Sequence, residues 1–189
     1  DGREPSLGPY VRELYSPLIM AIRMVEKPVI AALNGVAAGA GASIALACDL
    51  RVASEKASIV EAFVRVGLIP DSGGTLILPL LVGMARAAEL AFTGARVSAE
   101  EALRLGLVNR VVPPDDLMPE TLKWAHELAA LPTRAIGLTK RGFNRALLSE
   151  LEQVLEFEAH LMDEAGRTAD HREGVKAFLE KRDPVFEGR

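Results

Sequence analysis

Hydrophobic spacing divides this chain into a mixed α/β stretch followed by a run of helices. Between residues 10 and 25 the apolar positions Val11, Leu14, Tyr15, Leu18, Ile19, Ile22 and Val25 recur near helical spacing. They predict a helix that Pro17 breaks or kinks, since proline has no N–H for the ladder. The nine residues before it are rich in turn formers and read as a loop. The unbroken run Val29-Ile30-Ala31-Ala32-Leu33, ended by Asn34-Gly35, predicts a buried strand and a turn. Gly39-Ala40-Gly41-Ala42-Ser43 opens a small-residue helix through Ala47, and Leu50-Arg51-Val52-Ala53 gives a second strand. Helices follow over 75–82 and 84–92, stopped at Thr93-Gly94. The capping-box pattern from Ser98 to Glu101 starts a short helix ending near Gly106, and residues 107–112 form a strand. Pro113-Pro114 closes the α/β part, so residues 1–113 are expected as an α/β core and 114–189 as a helical region.

In that second region helices are predicted over 116–131, 133–147, 149–165 and 170–181, the third opened by a capping box from Ser149 to Glu152. Its positions Leu151, Val154, Leu155, Leu161 and Met162 form an apolar stripe interrupted by Glu158. Helices appended to a finished core must bury such a stripe somewhere, and subunit association is the expected use.

Composition narrows the function classes. The chain has 189 residues, 49% of them hydrophobic, enough for a sizeable core. Its net charge of −4 is spread with both signs interspersed, which argues against nucleic acid or an anionic membrane surface as partner. Cys48 is the single cysteine and sits among small apolar residues, as a buried hydrophobe would, and the expected compartment is the cytoplasm. No apolar run reaches membrane-spanning length. No His/Cys cluster has metal-ligand spacing; His126, His160 and His171 fall in helices among charged neighbours, where solvated or structural roles are expected.

Two segments carry candidate chemistry. Val66-Gly67-Leu68-Ile69-Pro70-Asp71-Ser72-Gly73-Gly74-Thr75 sets the Asp71 carboxylate in a tight turn between apolar segments, where hydrophobic surroundings raise its pKa and suit it to accept a proton. The alternative for Asp71 is to cap the helix that follows. The turn from Asn34 to Ser43 leads from a strand into a helix, so its free backbone N–H groups can face an anion or a developing oxyanion, or its small residues can serve only close packing. It does not fit a dinucleotide fingerprint, because Ile44 stands where a small residue is required. Asp71-Ser72-Gly73-Gly74 is also similar to the nucleophile loop of trypsin-like proteases, but Pro70 replaces glycine there and no histidine precedes Asp71. Glu61 and Arg65, four apart, read as an ion pair across one helical turn, and Asp49 as a structural turn residue.

These pieces in this order resemble the crotonase superfamily of enoyl-CoA hydratases and isomerases. The resemblance runs from Lys27-Pro28-Val29-Ile30-Ala31-Ala32-Leu33-Asn34-Gly35 through the Gly39–Ser43 turn, Ala47-Cys48-Asp49-Leu50, the Gly67–Thr75 turn, Thr93-Gly94 and the stretch from Ala102 to Asn109. It implies an α/β fold, a spiral of ββα units with a C-terminal helical trimerisation region. It also implies an acyl-CoA thioester as substrate, with no separate cofactor and no metal, and a homo-oligomer, either a trimer or a dimer of trimers. The first ββα units of the family, with one of two oxyanion N–H groups, would lie upstream of residue 1, and the 189 residues alone are expected to be inactive. The other oxyanion N–H matches Ala40. The two hydratase glutamates fall at Ser43 and Phe63, here candidates for lining the acyl pocket, and Asp71 stands where hydratases usually have glycine. One site carboxylate in place of a pair resembles the isomerases of the family, above all those that turn epoxyphenylacetyl-CoA into oxepin-CoA and shift double bonds in unsaturated acyl-CoAs. The ending from Arg167 to Arg182 shares that resemblance, and Lys181 and Arg182 are candidates for the CoA phosphates. The expectation is therefore an acyl-CoA isomerase with Asp71 as base; the alternatives are an enoyl-CoA hydratase or a non-catalytic acyl-CoA-binding assembly subunit.

Overall fold

The computed structural model describes residues 6–189, and the part of the expected N-terminal loop at 1–5 lies outside them. Helical backbone begins at α1 (Gly8–Tyr10) and continues through a π-helical stretch, Val11–Tyr15, into α2 (Ser16–Met24). The disturbance predicted at Pro17 is therefore a widened turn just before it, with the Ser16 N–H reaching back to the Val11 carbonyl. A π turn makes room for a ring that would otherwise collide with the carbonyl four residues earlier.

Two small sheets follow, and the chain alternates between them. β1 (Ile30–Leu33), β3 (Leu50–Ser54) and β6 (Arg110–Val112) form one all-parallel sheet in the order β1-β3-β6. β2 (Val36–Ala38), β4 (Ser58–Val60) and β5 (Arg96–Ser98) form the other, β2 parallel and β5 antiparallel to β4. β1, β2 and helix α3 (Ala40–Ala47) make one ββα unit. β3 and β4, followed by α4 (Gly74–Val82) and α5 (Met84–Thr93), make the next, which is the spiral that the family resemblance implies. Matching register pairs Ala32 with Val52 in one sheet and Ala38 with Val60 in the other.

The core lies between these sheets and α2, α3, α4 and α6 (Ala99–Arg104), built on Ile19, Leu46, Ile59, Leu78, Leu90 and Leu107. Ser98 caps α6 as expected, its Oγ accepting from the Glu101 N–H at 3.2 Å. Of the later helices, α7 (Leu117–Ala129) lies against β1 and β3, while α8 (Thr133–Leu147) is joined to the core by Lys140. Lys140 Nζ donates to Asp49 Oδ2 at 2.6 Å and to the Ile22 carbonyl at 2.7 Å. Asp49 also accepts from the Val29 N–H and from Arg23, so the residue read as a structural turn holds three segments together.

Two expectations are corrected here. The stripe of α9 (Leu151–Gly166) does not wait for another subunit: Leu151, Leu155 and Met162 are buried within the chain, where α9 packs on α2 and α4. Nor does Ser149 cap this helix, which starts at Leu151 with no side-chain cap. The last helix, α10 (Ala169–Glu180), runs against the 3₁₀ segment Ala62–Val66. That contact is backbone to backbone, because a Cβ on Gly174 would come within 2.7 Å of Val66 Cα. Among the described residues no helix is long and apolar enough to cross a membrane.

Candidate active site

Asp71 is delivered by a turn that the rest of the chain grips from both sides. The 3₁₀ segment Ala62–Val66 ends at Gly67, whose φ of +65° lets the chain reverse towards Pro70. No Cβ fits there, since it would lie 2.8 Å from the His171 backbone nitrogen. His171 Nδ1, 2.7 Å from the Val66 carbonyl, fastens α10 to the same place, which makes this histidine structural. After Pro70 the Asp71 carbonyl accepts from the Gly74 N–H at 2.9 Å, with positive φ at both residues between them, Ser72 (57°) and Gly73 (80°). Serine rarely holds that backbone conformation, and doing so costs about 1 kcal/mol or more. Ser72 is fully buried, and its Oγ donates to Asp71 Oδ1 at 2.9 Å.

The Asp71 side chain is 3% exposed, and burial raises its pKa against the opposing effect of the Ser72 hydroxyl. It does not cap α4, whose N-cap is Gly73. That task falls to Glu158, which reaches in from α9 as the only polar break in its apolar stripe. Glu158 Oε2 accepts from the Gly73 N–H at 2.7 Å, and Oε1 from the Thr75 N–H at 3.0 Å and from Thr75 Oγ1. A carboxylate at a helix N-terminus satisfies donors that the helix cannot satisfy itself. Burial first, and to a smaller extent the Asp71 charge, raise the Glu158 pKa, and these three bonds offset part of the rise.

Glu61 also belongs to this neighbourhood, contrary to the expected ion pair with Arg65. The segment is 3₁₀, so residues four apart do not share a face, and Arg65 donates instead to the Gly94 carbonyl at 2.6 Å. Glu61 is 2% exposed, and neither carboxyl oxygen has a hydrogen-bond partner among the described residues. Burial first, then the charges of Asp71 and Glu158, raise its pKa to about 7. The expectation of a single carboxylate is thus replaced by three: one held by the Ser72 hydroxyl, one fully bonded, one without partners. The sequence signals were present, in an acid inside the α9 stripe and an acid directly after the apolar residues Ile59 and Val60.

Ala40 is the first residue of α3, placed by Gly39 with φ +54° and ψ −128°. The Gly39 N–H bonds the Val60 carbonyl at 3.0 Å, and its C=O accepts from Ala42 and Ser43, so the N–H groups of Ala40 and Gly41 are left without an intrahelical acceptor. Ala40, Leu68 and Ile69 pack against one apolar cluster of Val11, Phe63, Ala159 and Met162, which joins this helix start to the turn leading to Asp71. Ser43 meets the turn from the other side: a Cβ on Gly74 would come within 2.8 Å of its Oγ, a buried hydroxyl with no partner among the described residues. The structure therefore draws Ala40, Ser43 and Phe63 to the turn that presents Asp71. Lys181 and Arg182 lie at the end of α10, Lys181 as its C-cap and Arg182 bonded to Glu173 and Glu180. Among the described residues no group of three or more His, Cys, Asp or Glu side chains is placed to hold a metal ion. A buried carboxylate of raised pKa near free helix-start N–H groups is equipped to take a proton from carbon while an adjacent oxyanion is stabilised.

The chain is similar to known proteins in both sequence and fold. The chain matches the enoyl-CoA hydratase/isomerase family over residues 3–189. A probable enoyl-CoA hydratase of Rhodobacter capsulatus is 47% identical over 184 residues, covering 97% of this chain and 72% of that protein. The 1,2-epoxyphenylacetyl-CoA isomerase of Escherichia coli is 45% identical over 188 residues, 100% of this chain and 72% of that protein. The crystal structure of an enoyl-CoA hydratase from Mycobacterium avium subsp. paratuberculosis superposes with a TM-score of 0.91 at 37% identity, over 99% of this chain and 77% of that one. The ββα spiral, the Asp71 turn and these matches over nearly all of this chain have one reading: the chain belongs to the enoyl-CoA hydratase/isomerase family and has the crotonase fold.

Proposed function

We propose that the protein is an acyl-CoA isomerase in which Asp71 is the base and the Ala40 N–H is one of the donors that hold the enolate oxygen. The substrates proposed are epoxyphenylacetyl-CoA, converted to oxepin-CoA, and unsaturated acyl-CoAs whose double bond is shifted. The observation that carries the reading is the buried Asp71 carboxylate, bonded by a neighbouring hydroxyl and free of any capping duty. Ser43 and Phe63 contribute no acid where the hydratases have theirs. In a double-bond shift, Asp71 takes a proton from the carbon next to the thioester, and the negative charge moves to the carbonyl oxygen at the helix start, where fixed N–H dipoles stabilise it. Ring expansion of the epoxide draws on orientation and polarisation of the same carbonyl.

Hydration is the second reading, favoured by relatives named hydratases that are as similar as the isomerase. The test is direct comparison on two substrates, using protein expressed from the whole open reading frame. Isomerisation of a 3-enoyl-CoA far exceeding hydration of crotonyl-CoA is expected, and the reverse ranking would replace the isomerase with a hydratase. We further propose a cytoplasmic homo-oligomer. Exposed apolar side chains on α8, Leu138, Phe143 and Leu147, support self-association.

A further inference from the structure

We propose that Glu61 is a second proton-carrying residue of this site, delivering to the acyl chain a proton other than the one Asp71 removes. The proposal rests on the isomerase reading above. Glu61 follows β4 directly, and the last carbonyl of β4, that of Val60, takes the Gly39 N–H, so the backbone sets Glu61 beside the start of α3. Phe63, two residues on, lies over Gly39, 3.7 Å from where a Cβ would stand. Glu158 and Asp71 show how buried carboxylates are accommodated here, the first by three donors and the second by the Ser72 hydroxyl. Glu61 has no such donor at either oxygen, yet it is as buried as they are. The charged groups acting on it are Asp71 and Glu158, both of which oppose its ionisation, while the Arg65 guanidinium is bound to Gly94. A carboxyl in that position is stable with its proton on. It then carries an O–H for which the described residues provide no acceptor, within electrostatic reach of the Asp71 carboxylate. A donor without an acceptor, beside a base and an oxyanion-binding helix start, is placed to serve the ligand.

The step balances without a co-reactant. Asp71 takes one α-proton from a 3-enoyl-CoA, and the C–H electron pair enters the dienolate, its charge on the thioester oxygen. Glu61 O–H then breaks as its proton goes to the γ-carbon and the enolate pair reforms the carbonyl, leaving the 2-enoyl product. Asp71 now holds the extra proton and Glu61 is ionised; transfer between them restores the starting state.

Two measurements on the whole protein test this. Glu61→Gln should lower isomerisation by on the order of 10²-fold, while exchange of the α-proton into deuterated water stays within about threefold of wild type. Unchanged isomerisation overturns the proposal, and so does a parallel fall of isomerisation and exchange. A readout independent of folding is a single turnover of α-deuterated 3-enoyl-CoA by the wild type in ordinary water. Product without deuterium at the γ-carbon, formed while unconverted substrate keeps its α-deuterium, supports two proton carriers, and product that retains deuterium at the γ-carbon shows that Asp71 returns what it took and overturns the proposal. A wild type with neither isomerisation nor exchange removes the isomerase reading itself, an outcome distinct from either failure of Glu61.

Discussion

Glu158→Gln tests the way the Asp71 turn is held. The wild-type carboxylate sits at 0% exposure and accepts from the Gly73 N–H, the Thr75 N–H and the Thr75 hydroxyl. Glutamine has one acceptor oxygen, so it keeps either the Gly73 bond or the Thr75 pair and turns an NH₂ towards the donors it abandons. A hydrogen bond to a charged group contributes roughly 1.5–3 kcal/mol, and a buried N–H left unpaired costs about as much as the lower end of that range. The favourable placement of negative charge at the start of α4 adds up to about 2 kcal/mol in a buried setting. These contributions overlap, and a net loss of about 3 kcal/mol is expected, within the stability of about 5–15 kcal/mol usual for a domain. With a urea m-value of about 2 kcal/mol/M, the unfolding midpoint should fall by about 1.5 M with m unchanged. Thr75→Ala, which deletes only the hydroxyl donor, should shift it by about a third as much. Isomerase turnover of Glu158→Gln should also drop, because Gly73 begins the helix two residues after Asp71. A midpoint within about 0.2 M of wild type would refute the capping role.

Other outcomes follow from the same contacts. Glu61 holds its proton to about pH 7 when folded against 4.5 for the free side chain, so the stability it contributes is fully present below about 4.5 and is lost as pH rises through about 7. The loss is about 3 kcal/mol, and the unfolding free energies of wild type and Glu61→Gln from urea titrations between pH 4.5 and 8 should diverge by that amount, wild type falling more steeply. Gly67→Ala meets both a positive φ and the His171 backbone, so it should destabilise by more than 2 kcal/mol and raise amide exchange in α10; a silent substitution would show that this contact is not tight. Lys140→Met leaves the half-buried Asp49 with Arg23 and the Val29 N–H and should cost about 3 kcal/mol in thermal or urea unfolding, whereas a loss under about 1 kcal/mol would mean those two partners suffice.

How much of this could be read from the chain depends on how local each signal is. Helices α3 to α10 were legible because periodicity and glycine stops are written within a few residues, as at Thr93-Gly94. The three-residue strands β2, β4 and β5 were not, because Val36-Ala37-Ala38 has too few residues to show alternation and its pairing with Ser58–Val60 is a long-range choice. Asp71, Ala40, Ser43 and Phe63 were found as a set through motif resemblance, and the fold brings them to one turn. Glu158 escaped because its partners Gly73 and Thr75 lie more than eighty residues away, and a single acid in an apolar stripe does not say what it caps. Glu61 was misread for a simpler reason: four-residue spacing implies a pair only on an α-helix, and the segment after it is 3₁₀. The apolar face of α9 was assigned to another subunit for want of any sign that α2 and α4 would cover it.

The central claim is that Asp71 moves the proton, and Asp71→Asn in the whole protein tests it most directly. Asparagine keeps the size and can still accept from Ser72, so the turn persists while the base is lost. Isomerisation of a 3-enoyl-CoA and exchange of its α-proton into deuterated water should both fall by roughly 10²–10⁴-fold, with acyl-CoA affinity little changed, while Ser72→Ala does far less. Asp71→Asn matching wild type in both assays would contradict the account and take Asp71 out of the chemistry.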